Sequence, residues 1–318
     1  MQLPGLLNYA IFFLTTVGIY SILAFGLNVQ WGYTGQINIG VAAFFSIGAY
    51  AAAIMTTNPS DNYLGGFGMP FIVGILVAMI ISGIIALFVG LITLNLRGDY
   101  LAIGSIGIAE IVRLFFKNEG WLTNGVRGIS AIPKPLSGLI PGLDGLLFLL
   151  VVAVFVLFVY LALERLYHSP WVRVLRGIRA NERAAFAVGK DVVRFRVQGF
   201  VVGSIIMSIA GALYAHFVTF ISPEAFTPMF ATFLVWVMLI AGGSGNNRGV
   251  LVGALLIWFV WSGTEFITAG LPGDLATRGA SIRIFLIGLI LEVILIWRPR
   301  GLLPEKPPRN VDEEVQQT

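Results

Sequence analysis

The chain has 318 residues, of which 57% are hydrophobic and only 11% charged, with a mean hydropathy of +0.89. A soluble domain carries roughly a quarter of its residues as charges, so the composition excludes a water-soluble globule and indicates an integral membrane protein with several spans. The net charge is +4 and there is no Cys. Disulfides, thiolate catalysis and Cys-ligated metals are therefore excluded, and the two histidines, His168 and His216, are too few for a histidine-based metal centre without carboxylates nearby.

A helix needs about 20 apolar residues to cross the hydrocarbon layer. The first sixty residues carry no charge, and the N-terminal stretch MQLPGLLNYA lacks the positive n-region of a cleavable signal peptide. Leu6 to Val29 is accordingly expected to persist as the first span. Trp31 to Asn38 is a polar, Gly-broken interruption, and Ile39 to Thr56 the second span. Asn58-Pro59-Ser60-Asp61-Asn62 is a turn signal. Met69 to Leu96 is the third span, closed by Arg97-Gly98-Asp99, and Tyr100 to Phe116 a fourth, less hydrophobic one. Asn118 to Asp144 is a Gly- and Pro-rich loop without helical period. Gly145 to Leu163 is the fifth span, Val197 to Phe220 the sixth, Phe226 to Ala241 the seventh, Val250 to Ile267 the eighth and Ile284 to Trp297 the ninth. The expected fold is all-α: a polytopic transmembrane bundle of about nine spans, eight to ten if one segment is re-entrant. It forms a single domain over residues 1–303, followed by a charged tail, 304–318, disordered in its last ten residues.

Ser169 to Arg196 interrupts the apolar pattern with seven Lys or Arg against two acids. Basic segments between apolar runs mark a cytoplasmic face. That placement puts Arg248, Arg298, Arg300, Lys306 and Arg309 inside, and puts the N-terminus, Asp61 and Ser222–Thr227 outside. Asn118–Asp144, with Arg127 and Lys134, also falls outside, since long loops translocate despite their charge. This distribution reads as a membrane surface rather than a nucleic-acid site. Within the segment, Asn181 suits an N-cap, Glu182 complements the positive helix end and Gly189 suits the left-handed residue past the last turn. Arg183, Ala184, Ala185 and Phe186 lie between them. Small side chains let another surface approach closely and Phe186 offers an apolar anchor, so the short helix reads as a plug for a cytosolic partner.

Glycines 32, 35 and 40, interleaved with Tyr33, Thr34, Gln36 and Asn38, can unwind a helix at membrane depth, which survives only inside protein or beside a water-filled cavity. Gly242, Gly243 and Gly245 belong to a block of similar texture. Either they gate a solute pathway or they let helices pack closely. Glu110 and Arg113, three residues apart on one face, either pair with each other or meet the ammonium and carboxylate of a solute. Glu265 and Glu292 are read as structural or interfacial, and His216 as a packing histidine. The only Gly-Lys pair, Gly189-Lys190, is followed by Asp191 and lacks the upstream glycine of a phosphate-binding loop. If ATP drives this chain, another polypeptide hydrolyses it.

Glu182-x-Ala184-Ala185-x-x-x-Gly189 resembles the EAA loop of ABC-importer permeases, with one extra residue between the acid and the alanine pair. With Gly32–Gly40, Ala42–Tyr50, Gly211–His216 and Phe220–Phe226, the chain resembles, from about residue 20 to 303, the LivM-type permeases of importers for branched-chain and neutral amino acids. It carries Asn38 and Val41-Ala42 where such permeases often carry Ser and Gly-His, which leaves the choice of solute open. The resemblance implies a non-enzymatic, cofactor-free permease of the cell inner membrane. It also implies a LivH-like second permease in a heterodimer, two ABC ATPase subunits, an extracytoplasmic solute-binding protein and a neutral amino acid as cargo. A urea or short-amide importer has the same architecture. The rival of another class, a stand-alone secondary carrier or channel, would place carboxylates deep in several spans, where only Glu110 and Glu292 qualify.

Overall fold

The computed structural model describes residues 5–60, 63–93, 99–269 and 279–305, without the side chains of 99, 265–269 and 279–281. Asp61, Arg97, Gly98, the side chains of Asp99 and Glu265, and the tail from Lys306 onward lie outside that description. Among the described residues every regular element is helical, and one isolated antiparallel bridge joins Ile129 to Ile221.

Helix α1 runs Gly5–Leu27 and widens into a π-helical stretch, Asn28–Tyr33. It is followed by α2 (Val41–Thr56), α3 (Phe71–Thr93), α4 (Asp99–Asn118) and the single turn α5 (Gly120–Thr123). Next come α6 (Asp144–Tyr167), α7 (Pro170–Ala180), α8 (Glu182–Ala187) and α9 (Val192–Val218). A π-helical entry, Met229–Phe233, leads into α10 (Leu234–Gly242), and α11 (Asn247–Ala269) and α12 (Gly279–Trp297) close the described chain. Among the described residues, four helices are long and apolar enough to cross a membrane: Gly5–Tyr33, Phe71–Thr93, Asp144–Tyr167 and Val192–Val218. Val41–Thr56 and Met229–Gly242 are apolar but shorter. The remaining expected spans coincide with α4, α11 and α12.

The segment 169–196 departs most from its expected form. Charge density suggested a loop with one short helix, yet it is helical nearly throughout. Ser169 caps α7 by accepting from the Val172 N–H, with Pro170 in the first turn. Val172, Leu175 and Ile178 then bury one face of α7 at helical spacing. The Asp191 side chain accepts from the Arg194 N–H at 3.0 Å, so α9 starts at Val192 rather than Val197 and carries Arg194 and Arg196 on its first turns.

Helix α9 is the hub, packed by α1, α2 and α3. Two glycines set its seam with α2. A Cβ at Gly211 would lie 2.0 Å from the Phe45 carbonyl oxygen, and one at Gly48 would lie 2.1 Å from that of Ser208. In lipid such close backbone approach replaces the hydrophobic drive available in water. Outside the seam the helical period divides α3 into two faces. Ile72, Leu76, Ile80, Ile84 and Phe88 are exposed, whereas Ile75, Ala78, Ser82 and Ala86 are buried. Substituting Gly48 or Gly211 with Ala overpacks the seam and should cost about 1–3 kcal/mol, read as a lower midpoint of thermal denaturation in detergent. Gly107, with open space where a Cβ would stand, should accept Ala without loss.

Candidate functional site

Helix α8 is built from its ends rather than from a core. The Asn181 side chain accepts from the Ala184 N–H at 3.0 Å, and Glu182 occupies the first turn. At the far end Gly189, with φ +79, turns the chain so that its N–H reaches the Phe186 carbonyl at 2.9 Å and that of Lys190 reaches Ala185 at 3.1 Å. None of the six helical residues is buried. Phe186 and Val188 are each 73% exposed, and Arg183 and Ala184 also face outward. An open cavity of about 880 Å³, lined by Asn181–Arg183, Phe186 and Gly189–Val193, runs along the helix. An ion pair of 3.7 Å from Glu182 to Arg196 ties α8 back to α9.

The Gly32–Gly40 block lies at the same end of the bundle. After Tyr33 the backbone leaves helical form until Val41, and its polar groups are met by side chains of other helices. Gln30 donates to the Phe200 carbonyl at 2.9 Å and to Ser204 Oγ at 3.1 Å, while its Oε1 accepts from Asn38 Nδ2 at 2.7 Å. Asn38 Oδ1 accepts from the Gly40 N–H, Ser105 Oγ accepts from the Ile39 N–H, and Trp236 Nε1 donates to the Asn38 carbonyl. Thr34 Oγ1 donates to the Gln30 carbonyl, and Gln36 Nε2 to that of Arg196. Tyr33 Oη donates at 2.6 Å to Asn247 Oδ1, which also accepts from Asn28 Nδ2; Asn247 Nδ2 donates to Glu164. Asn28, Gln30, Tyr33, Thr34, Gln36 and Asn38 are all buried. They form one polar knot.

Of the six glycines singled out from the sequence, four sit against backbone and two against side chains. A Cβ at Gly32 would lie 2.6 Å from the Gly245 nitrogen, so the two Gly-rich blocks touch. Gly40 abuts the Ser105 carbonyl, Gly242 that of Gly249, and Gly243 that of Leu303. Gly35 and Gly245, at φ +72 and +81, face Arg179 and Glu305. Beside the break an apolar cavity of about 440 Å³ is lined by Ile37, Ile39, Met229, Thr232, Phe233 and Trp236. Both π-helical stretches thus flank the unwound residues.

Glu110 and Arg113 lie apart from this knot. They pair bidentately, at 2.6 and 3.0 Å. Glu224, from the turn Pro223–Phe226, joins them by accepting from Arg113 at 3.3 Å and Lys117 at 3.1 Å. His216 is buried, its ring nitrogens against Thr56 Oγ1 at 3.1 Å and the Ala212 carbonyl at 2.7 Å. Both partners being present, packing accounts for it. Glu292 is exposed on α12.

The family model for the branched-chain amino acid transport system permease component matches residues 9–295. The chain belongs to that permease family. A Methanocaldococcus jannaschii protein named "Probable branched-chain amino acid transport permease protein LivM" is 31% identical over 322 residues, covering 91% of this chain and 92% of the relative. The high-affinity branched-chain amino acid transport system permease proteins LivM of Salmonella typhimurium and Escherichia coli are each 30% identical over 318 residues, 93% of this chain and 70% of theirs. No solved structure matches. A permease of this family with apolar helices of this length is a multi-pass membrane protein.

The sequence singles out neither Asn28, Gln30 and Glu305 nor Ser105, Glu164, Arg179 and Trp236. Asn28 lies inside the expected first span and Gln30 between that span and the Gly-broken stretch, although a polar pair at a span end preceding glycines is a usable signal. Glu305 was assigned to the tail, and nothing local to it points to Arg176 and Arg179. Replacing Asn247 with Ala strands the Tyr33 hydroxyl and the Asn28 amide without an acceptor, and should cost about 1–3 kcal/mol. Replacing the half-exposed Glu224 with Ala should cost under about 1 kcal/mol. Thermal denaturation of the two variants side by side separates knot from rim.

Proposed function

We propose that the chain is the membrane-spanning permease subunit of an ATP-driven ABC importer for branched-chain and other neutral amino acids. Family membership over residues 9–295 supports the transport class. The observation that carries the mechanism is α8: a capped helix that buries no side chain of its own and offers Phe186 and Ala184 to the aqueous side. Such a knob has a use only if another protein covers it.

In this reading residues 1–303 form one domain of nine crossings. The N-terminus lies outside, and the 169–196 segment and the C-terminus lie in the cytoplasm, because the basic residues gather at that end. Asn181 to Gly189 dock into one of two ABC ATPase subunits. A LivH-like second permease completes the heterodimer, and an extracytoplasmic binding protein delivers solute to the outer end, where Ser222–Thr227 and the Glu110–Arg113–Glu224 cluster lie together.

The gate is the break after Tyr33. Closed, Tyr33, Thr34, Gln36 and Asn38 spend their hydrogen bonds on the protein. When α8 moves, these groups exchange internal partners for the polar head of the solute, a device of broken-helix transporters. The apolar cavity between Ile37, Ile39 and Trp236 suits an aliphatic side chain, which favours a branched-chain amino acid over urea or a short amide.

Leucine uptake into proteoliposomes holding the complex and its binding protein tests the reading. Uptake should require ATP, and Phe186→Asp should lower it at least tenfold while releasing the ATPase subunits during purification. Uptake without nucleotide by the purified chain alone would identify a stand-alone carrier instead.

A further inference from the structure

We propose that Glu305 is a positioning residue for transport: its carboxylate clamps α7 onto the break in the first helix, so that displacement of α8 reaches that break instead of dissipating in a swivel of α7. The proposal rests on the reading of α8 as the docking helix.

Because α8 buries no side chain, it cannot push the bundle through contacts of its own. Its motion must pass through the helices on either side. On one side lies α9, whose Arg196 pairs with Glu182 and whose Arg196 carbonyl accepts from Gln36. On the other lies α7, seated by Val172, Leu175 and Ile178. From α7, Arg176 and Arg179 converge on a single acid. Arg176 Nε stands 2.7 Å from Glu305 Oε1, and Arg179 Nη2 bonds the other oxygen. The three side chains are 19%, 29% and 18% exposed, so both ion pairs are largely screened from water, and the one to Arg179 is also a charge-assisted hydrogen bond. Arg179 also donates through Nη1 to the Gly32 carbonyl, and its Cγ stands where a Cβ at Gly35 would be 2.8 Å away. The arginine of α7 therefore grips the break directly.

Glu305 is itself fixed by backbone. The Leu302 and Leu303 N–H groups donate at 2.9 Å to the carbonyls of Ala241 and Gly242. Asn246 donates at 3.1 Å to the Pro304 carbonyl. Residues 301–305 thus lie as a strap across the turn between α10 and α11, and that turn holds the break through Gly245 and Asn247. One carboxylate closes a loop that includes α7, the strap, the α10–α11 turn and Gly32. Without it, Arg176 and Arg179 lose the carboxylate they share, and α7 keeps its apolar face and the Arg179–Gly32 bond but no tie to the strap. Transmission between sites requires elements that move as units; the strap makes α7 and the break one such unit.

The test uses the full complex in proteoliposomes, with leucine as the probe. Leucine delivered per ATP hydrolysed is compared among wild type, Glu305→Gln and Glu305→Asp. Glu305→Gln should assemble normally and hydrolyse ATP, yet deliver at least fivefold less leucine per ATP, while Glu305→Asp, which keeps the charge, should recover at least half of the wild-type ratio. An unchanged ratio in Glu305→Gln, or loss of assembly in that variant, overturns the proposal. If the wild-type complex itself shows no ATP-dependent leucine uptake, the importer reading fails first. The clamp is then read by hydrogen exchange over residues 173–180, where Glu305→Gln should exchange faster and unchanged protection would sink it.

Discussion

A backbone that leaves helical form inside a bilayer must find its hydrogen-bond partners within the protein, because hydrocarbon supplies none. Residues 34–40 meet that demand with groups drawn from four helices: Gln30, Ser105, Arg196 and Trp236 all reach the unwound stretch, while Arg179 bonds the Gly32 carbonyl just before it. The architecture around it follows. α9 must run close enough for Phe200 and Ser204 to meet Gln30, which the α1–α9 contact at Gly26 and Gly203 allows, since a Cβ on either would approach a carbonyl at 2.6 Å. The second Gly-rich block must touch the first, because Asn28 bonds both Gly245 and Asn247.

Burial is divided unevenly as a result. The break, the α2–α9 seam and the start of α11 are enclosed, while α3, α6 and α12 leave rows of large apolar side chains uncovered. In water such rows would be an aggregation hazard; against lipid they cost nothing and need no partner. The charged residues sort in the same manner. At the basic end Arg176, Arg179 and Arg196 form defined pairs with Glu305 and Glu182, and near the other end lies the open Glu110–Arg113–Glu224–Lys117 group.

The sequence made the helical class legible because apolar runs of membrane length have few alternatives, and it made α8 legible because Asn181 and Gly189 carry capping chemistry that acts within a few residues. What it concealed acts at a distance. The helicity of 170–180 was masked by charge, although Val172, Leu175 and Ile178 hold the period of a buried stripe. The reading of Glu110 and Arg113 left pairing and solute contact open; the pair is formed, but Glu224, more than a hundred positions away, joins it. The glycines are open to gating or packing from the sequence; in the structure Gly32, Gly40, Gly242 and Gly243 sit against backbone, Gly35 against the stem of Arg179 and Gly245 against the side chain of Glu305. Nothing in one-dimensional spacing foretells that residues 32 and 245, or 179 and 305, are neighbours.

Phe186 has a further implication for how such a chain is made. Most of its ring meets water until something covers it, and leaving a side chain of that size uncovered forgoes on the order of 2 kcal/mol. On the proposed docking of α8, every copy synthesised in excess of its companions would carry that deficit as a greasy handle. Balanced production of companions would remove the handle, and a surplus of orphan copies would display it to whatever quality-control machinery surveys that compartment.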